Sequence, residues 1–327
     1  MRIWRFHEHG DIANLQLEDV PIPTPRVGEA LVRIAYAALN PADALVVRGL
    51  YPRAGAPPMA VGRDGAGVIE KASVDGRYKT GDRVIVLRGE VGVTRDGTLA
   101  ECCVVPETLL TPLPVGWTMQ QGAAGPLVFL TAWRALVDTG GLQPGQTVFV
   151  NGASGGVGSA TVMLARALGA RVIAGSRSAD KRARLTTLGA VVTVDSTNPD
   201  AMESEILRVL DGGRVDIVVE NLGGAYLQSS VNVLAENGRI GVVGLLGGFM
   251  AEISLGHLIF KRARIEGVAV GAYTAGQAQD AWTKILAASQ KTGAKPIIDS
   301  EFAFDDVHAA FNRLAEGPMG KVIVRTA

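Results

Sequence analysis

At 327 residues, with 47% hydrophobic and 20% charged side chains, the chain is long enough for two domains, each with a sizeable core. Thirty-two basic residues balance thirty-two acidic ones, which removes any electrostatic reason to expect nucleic acid or an anionic membrane as partner. No apolar stretch approaches the ~20 residues that span a bilayer, the N-terminal residues lack a signal peptide's apolar run, and two cysteines suit a reducing compartment, so the expectation is a cytoplasmic protein away from membranes.

The front of the chain reads as β-rich. Short apolar runs at 30–35, 67–69 and 83–87 are divided by Pro, Gly and Asp turns, as in a compact barrel or sandwich. Cys102 and Cys103 are adjacent, so alternation along a strand points them to opposite faces and excludes a C-x-x-C chelate or redox pair. His7, His9, His257 and His308 have no companion cysteine cluster, and no zinc-site pattern is visible.

After Trp117 the pattern changes. A helix near 120–138 precedes strands at 148–150, 171–174, 191–194, 215–219 and 239–243, with helical stretches at 179–188, 200–210 and 224–236 between them. Such alternation predicts a doubly wound parallel sheet with right-handed crossovers, an α/β fold. Val148, Phe149 and Val150 are apolar without alternation, which suits a parallel strand covered on both faces. Val157, Leu164, Ala165 and Leu168 recur at helical spacing, and Gly169 stands where a left-handed cap would stop the helix. A last strand at 321–325 is placed to rejoin the sheet of the front domain.

Between that strand and helix lies Ala153-Ser154-Gly155-Gly156-Val157-Gly158, an A-x-G-x-x-G turn. A chain with 41 glycines produces such matches by chance, but the strand before and the helix after give this one a dinucleotide-binding context. Ala153 permits the tight turn, Gly155 lets backbone approach a pyrophosphate, and Gly158 lets the helix lie close on the strand. The helix N-terminus then offers N–H groups to the phosphates.

The end of the next strand is where an Asp or Glu would accept the ribose 2′-hydroxyl of NAD. Here the chain has Gly175-Ser176-Arg177-Ser178, with Lys181 one turn on. A guanidinium fork and hydroxyls match the 2′-phosphate of NADPH, the alternative being an arginine that points into solvent from a surface loop. Asn221 and Gly244, each following a strand of the series, complete the candidate cofactor set.

Ordered motifs along nearly the whole length carry a family resemblance. They are Asn40-Pro-Ala-Asp43, Gly49-Leu-Tyr51-Pro52, Val61-Gly-Arg-Asp64-Gly-Ala-Gly67, Gly97-Thr-Leu-Ala-Glu101, Leu130-Thr131-Ala-Trp133, Leu142-Gln-Pro-Gly145, the glycine turn, and Asn237-Gly-Arg239. The chain resembles a medium-chain dehydrogenase/reductase of the zinc-free, quinone oxidoreductase-like and enoyl reductase-like branch. The resemblance implies a β-rich GroES-like catalytic domain over 1–118 and 268–327 and a Rossmann domain over 119–267. It further implies an NADPH-dependent reductase of quinones or α,β-unsaturated carbonyl compounds, a small-molecule substrate, and a homodimer joined edge to edge through the strand near 265–271.

Zinc members of the wider family carry a Cys at the position of Asn40 and Gly-His-Glu in place of Gly62-Arg63-Asp64; the loss of both soft ligands argues against a metal. The resemblance places Asn40 and Tyr51 in the substrate cleft, with Tyr51 as proton donor, and Thr131 near the nicotinamide. Each has a plainer reading: Tyr51 as a loop aromatic on Pro52 and Pro57, Asn40 as an Asn-Pro turn residue, Thr131 as a helix-interior threonine bonded to its own turn. Asp43 reads as a helix cap or brace rather than a catalytic group, and Arg63 and Asp64 pair with one another or with the cleft, a structural ion pair being the favoured reading. Leu45 stands where close quinone reductases place a second cleft tyrosine, and Glu220-Asn221-Leu-Gly replaces the usual Asp-x-Val-Gly. Substrate choice depends on the loops around 50–58, 88–96 and 246–256. The competing functions are a zinc-free NADP-dependent alcohol or aldehyde dehydrogenase and a non-catalytic NADPH-binding protein.

Overall fold

The computed structural model describes residues 1–87 and 90–326, so Arg88 and Gly89 of the 88–96 loop lie outside the described residues. The chain divides into two compact units: Met1–Leu127 with Gly271–Trp282 and Lys295–Ala327, and Val128–Val270 with Thr283–Ala294.

The first unit is built on a seven-stranded sheet. Its order is Ile298–Ala303, Lys321–Arg325, Glu29–Ala38, Asp64–Lys71, Arg83–Val86 and Leu110–Pro112, with Cys102–Pro106 also paired to Glu29–Ala38. Val32, Ile34, Ile69, Val84 and Val105 fill one core beneath it. Trp4, Phe6, Leu39, Val46, Phe304 and Phe311 fill another. The C-terminal strand rejoins this sheet: Ile323 pairs with Ala38 and Arg325 with Tyr36, antiparallel. That register carries Lys321, two residues before Ile323, to the level of Asn40 at the start of the helix Pro41–Val47.

Cys102 and Cys103 lie on one strand, free and buried, with Cys103 in the core beneath the sheet. Burial pushes the Cys103 thiol up to about 12, so it is inert at neutral pH.

The second unit is a six-stranded parallel sheet, in the order Val192–Val194, Arg171–Gly175, Thr147–Asn151, Val215–Glu220, Leu234–Val242, Arg264–Gly267. The helices Gly156–Ala167, Ala179–Leu188, Pro199–Leu210 and Tyr226–Val233 alternate with its strands. Phe149, Ile173, Val218 and Ile240 are at most 0% exposed and pack with Ile206 and Val231 into one core. The chain runs outward from Thr147–Asn151 through Arg171–Gly175, then returns to its other side with Val215–Glu220. The crevice at the carboxyl ends of those central strands is where ligands of such sheets bind.

Three element expectations need correction. The helix near 120–138 is three pieces, Met119–Ala124, Pro126–Trp133 and the π-helical Arg134–Thr139, broken at Gly125-Pro126 because proline supplies no N–H. The first unit extends to Leu127 rather than 118, since Gln120 Nε2 donates to Tyr36 Oη (3.1 Å) and holds the first piece on the front sheet. The helical stretch at 224–236 stops at Val233, where the strand Leu234–Val242 already begins; Asn237, at φ 61°, is in the left-handed region that no helix propagates. Gly169 has the positive φ, 83°, that its capping position requires. No helix among the described residues is long and apolar enough to cross a membrane.

Candidate active site

In the second unit, the strand Thr147–Asn151 ends in the glycine turn and the helix Gly156–Ala167. A Cβ on Gly158 would lie 2.4 Å from the Gly152 carbonyl oxygen and 2.6 Å from Ala153 Cα, so helix and turn touch there through backbone alone. A Cβ on Gly155 would meet only Gly152 O, at 3.8 Å, which leaves the face of the turn open to a ligand. Ala153 is fully buried, and Ser154, Gly156 and Val157 line the half-open rim of the turn.

At the neighbouring strand end, Ser176 is 4% exposed and its Oγ bonds Ser154 Oγ at 3.3 Å. Arg177 is exposed, and Lys181 lies in the first turn of the helix Ala179–Leu188, whose N-terminus Ser178 caps. Arg182 ties this corner together. Its Nη1 donates to the carbonyls of Ser176 (2.7 Å) and Arg177 (3.0 Å), and it pairs with Asp195 (3.0 Å). The hydroxyls of Ser176 and Ser154 thus meet at the strand end, Arg182 braces it from the backbone side with Asp195 as its ion-pair partner, and the strand's own last residues carry no carboxylate.

Across the crevice, Glu220 is 0% exposed and fully partnered. It accepts from Asn151 Nδ2 (3.2 and 3.1 Å), the N–H groups of Leu222 (2.9 Å) and Gly223 (3.1 Å), and Ser230 Oγ (2.6 Å). Asn221 donates from Nδ2 to the Asn151 carbonyl (2.7 Å), while its Oδ1 is buried without a partner. Gly244 approaches so closely that a Cβ there would stand 2.2 Å from the Asn221 carbonyl. An open glycine face, free N–H groups at a helix start and an orphaned carbonyl oxygen at the switch point fit a dinucleotide. Thr131, 6% exposed, lies in this unit on the helix Pro126–Trp133.

The first unit holds a buried polar cluster. Lys321 Nζ donates to Asp64 Oδ2 (3.0 Å) and Asn40 Oδ1 (2.5 Å), and Asn40 Nδ2 donates to the same Asp64 oxygen (3.0 Å). The other Asp64 oxygen accepts from the Leu127 N–H (3.1 Å). Asp43 Oδ2 accepts from the Asn40 N–H (2.8 Å), bracing the start of the helix Pro41–Val47. Burial is the main cause that raises the Asp43 carboxyl to about 6, opposed by the charges of Arg63 and Lys321. Asn40 is 4% exposed with its amide engaged at both ends, so it organises the cluster.

Arg63 and Asp64 do not pair, a correction to the sequence reading. Asp64 opens the strand Asp64–Lys71 and turns to Lys321, whereas Arg63 Nη1 donates to Tyr51 Oη (3.0 Å), its guanidinium carbon 5.0 Å from the ring centroid. Tyr51 is half-buried and packs on the core that contains Trp4 and Phe6.

A GroES-like β-rich unit together with a doubly wound unit carrying this turn defines a nicotinamide-dependent dehydrogenase. Residues 26–115 match the alcohol dehydrogenase GroES-like domain family, and residues 156–291 match the zinc-binding dehydrogenase family. Quinone oxidoreductases of Mus musculus and Rattus norvegicus are 30% and 31% identical to the chain over 329 residues, 99% of this chain and 97% of theirs. The crystal structure of an NAD-dependent alcohol dehydrogenase superposes with a TM-score of 0.90 at 30% identity, both chains covered in full. The chain therefore belongs to the medium-chain dehydrogenase/reductase superfamily, in its quinone oxidoreductase-like branch, and is an oxidoreductase of that family.

The residues present do not fit zinc. Among the described residues no group of three or more His, Cys, Asp or Glu side chains is placed to hold a metal ion, and an ammonium already sits against Asp64 and Asn40. Lys321, Arg63's bond to Tyr51, and Arg182 escaped the sequence reading. The one available signal for Lys321 was a cation opening the terminal strand directly before its apolar run Val322-Ile-Val324.

Proposed function

We propose that the protein is an NADPH-dependent reductase of C=C bonds conjugated to a carbonyl, or of quinones, working without a metal. The observation that carries this reading is the Lys321–Asp64–Asn40 cluster. In the cluster Asn40, its amide engaged by Lys321 and Asp64, stands where zinc members carry a Cys, and the adjoining Arg63 stands where they carry a His, so polarisation of the acceptor falls to hydrogen-bond donors. The full-length likeness to quinone oxidoreductases supports the choice of acceptor.

NADPH supplies the hydride when bound. The turn 153–158 and the start of its helix bind the pyrophosphate; Ser176, Arg177 and Lys181 bind the 2′-phosphate; Asn221 Oδ1 accepts a hydrogen bond from the nucleotide, at the turn that Gly244 packs against. The cofactor reading departs from the NAD-dependent structural neighbour, and the absence of a carboxylate at the end of Arg171–Gly175 is what supports the departure. Tyr51 donates the proton, and Thr131 positions the nicotinamide ring.

We also propose a homodimer through the edge strand Arg264–Gly267. Nearby, Leu246, Phe249, Met250, Ile259 and Phe260 are 66% exposed or more, an apolar surface that a monomer rarely leaves in water.

The test is NADPH and NADH consumption against a quinone, an enal, an enone, a crotonyl thioester and a simple aldehyde. Turnover of the conjugated acceptors with NADPH supports the reading. Turnover confined to the aldehyde or simple alcohols points to an alcohol dehydrogenase, and NADPH binding without turnover points to a non-catalytic protein.

A further inference from the structure

We propose that Arg63 is a positioning residue that aims the proton of Tyr51, an inference that rests on the reading of Tyr51 as proton donor. A guanidinium has N–H donors and no acceptor, so in the 3.0 Å contact between Arg63 Nη1 and Tyr51 Oη the phenol oxygen accepts. The single phenolic hydrogen must therefore point elsewhere, toward whatever acceptor the half-exposed ring meets.

The guanidinium is well placed to hold that arrangement. Arg63 is only 6% exposed, follows Gly62 in a turn at φ 106°, and lies near enough to the buried Asp43 that its charge favours the ionised carboxylate there. Its carbon lies 5.0 Å from the ring centroid, so the same cation also fixes the ring plane. A lysine could place one charge on the oxygen but not the planar fork.

The step balances as follows. Bound NADPH would supply a hydride, with its two electrons, to the β-carbon of the conjugated acceptor and leave as NADP+, which would make the acceptor an enolate. The enolate takes a proton from Tyr51: the Oη–H bond breaks, a C–H or O–H bond forms on the product, and the phenolate left beside Arg63 regains a proton from solvent. Arg63 touches neither substrate nor cofactor in this scheme; it acts through Tyr51.

The experiment is a double-mutant cycle on the full-length protein, with kcat, KM, NADPH affinity and thermal melting measured for Tyr51→Phe, Arg63→Met, Arg63→Lys, Arg63→Gln and the Tyr51→Phe/Arg63→Met pair. Tyr51→Phe should lower kcat by roughly 100-fold or more. Arg63→Met should lower kcat by roughly 10- to 100-fold while KM and NADPH affinity stay within about two-fold, Arg63→Lys recovering part of the loss. In the Tyr51→Phe background Arg63→Met should cost nothing further. Arg63→Gln, which keeps an N–H donor without the charge, should fall between Arg63→Lys and Arg63→Met, and it carries the cycle if Arg63→Met fails to fold.

A loss that persists undiminished in the Tyr51→Phe background, or one expressed in KM, overturns the proposal. So does an Arg63→Met enzyme as active as the parent while Tyr51→Phe is impaired. If Tyr51→Phe itself is fully active, the reading of the proton donor has failed, and the inference about Arg63 falls with it.

Discussion

Lys321 Nζ stands 3.0 Å from Asp64 Oδ2 with the two side chains 3% and 1% exposed, a buried ion pair between the last strand of the chain and the strand that follows the Gly62 turn. Removing one partner strands a charge out of water. Lys321→Met should therefore destabilise the fold by about 3–5 kcal/mol, and Asp64→Asn in the same chain should recover part of that loss by neutralising the stranded carboxylate. Denaturant unfolding of the two single variants and the double variant measures both numbers. A loss below about 1 kcal/mol for Lys321→Met would mean the pair is solvated rather than buried.

Asp43 gives a pH prediction of definite sign. Its folded pKa, about 6, lies above the ordinary 3.8, so the folded state holds this proton more tightly than the unfolded state does. The stability it contributes is complete below the unfolded value and is lost as pH rises through about 6. The loss is at most about 3 kcal/mol. Asp43→Asn keeps an oxygen for the Asn40 N–H and removes the titration. The melting temperature of the variant relative to the parent should rise between about pH 4.5 and pH 7.5, and a constant difference would contradict the burial assigned to Asp43.

Two glycines of the cofactor turn should separate stability from binding. Gly158→Ala forces a methyl group to 2.4 Å from a backbone oxygen and should lower the melting temperature as well as abolish NADPH binding. Gly155→Ala meets nothing closer than 3.8 Å, so the apoprotein should melt like the parent while NADPH affinity falls by about 10-fold or more. Equal loss of stability in both would show that the Gly155 face is already packed.

On the proposed reading, the strand end at Ser176 sets the choice of nucleotide. Arg177→Ala should weaken NADPH by about 10- to 100-fold, the range of a charge-assisted hydrogen bond, and leave NADH unchanged. Ser176→Asp should add a carboxylate where a ribose hydroxyl would meet it and reverse the preference. Titrations with both nucleotides read this directly; equal weakening of NADPH and NADH by Arg177→Ala would place that arginine away from the 2′-position.

The doubly wound sheet and its turn were legible because each rests on local signals: an unalternating apolar strand, small residues at fixed offsets, and a glycine cap at 169. The buried cluster was not, for a physical reason. Lys321 and Asp64 are 257 residues apart, and only the antiparallel register of the last strand on Glu29–Ala38 brings them together. Arg63 and Asp64 are neighbours in sequence and invite a pairing, but Arg63 lies in the bend before the strand that Asp64 opens, and each turns to a partner distant in sequence, Tyr51 and Lys321. Arg182 lies one residue beyond Lys181, but its work is done through backbone carbonyls that no motif encodes. The break at Gly125-Pro126 was written in the sequence, yet the apolar run that continues across it masked the stop.

The most direct measurement of the proposed chemistry follows the hydride itself. An enone is reduced with NADPH carrying deuterium at the transferring position of the nicotinamide C4, and the product is examined by NMR. Deuterium at the β-carbon, with the carbonyl intact and the proton at the α-carbon drawn from solvent, is the result the account predicts. Deuterium at the carbonyl carbon, giving an allylic alcohol, would contradict it and make the protein a zinc-free carbonyl reductase.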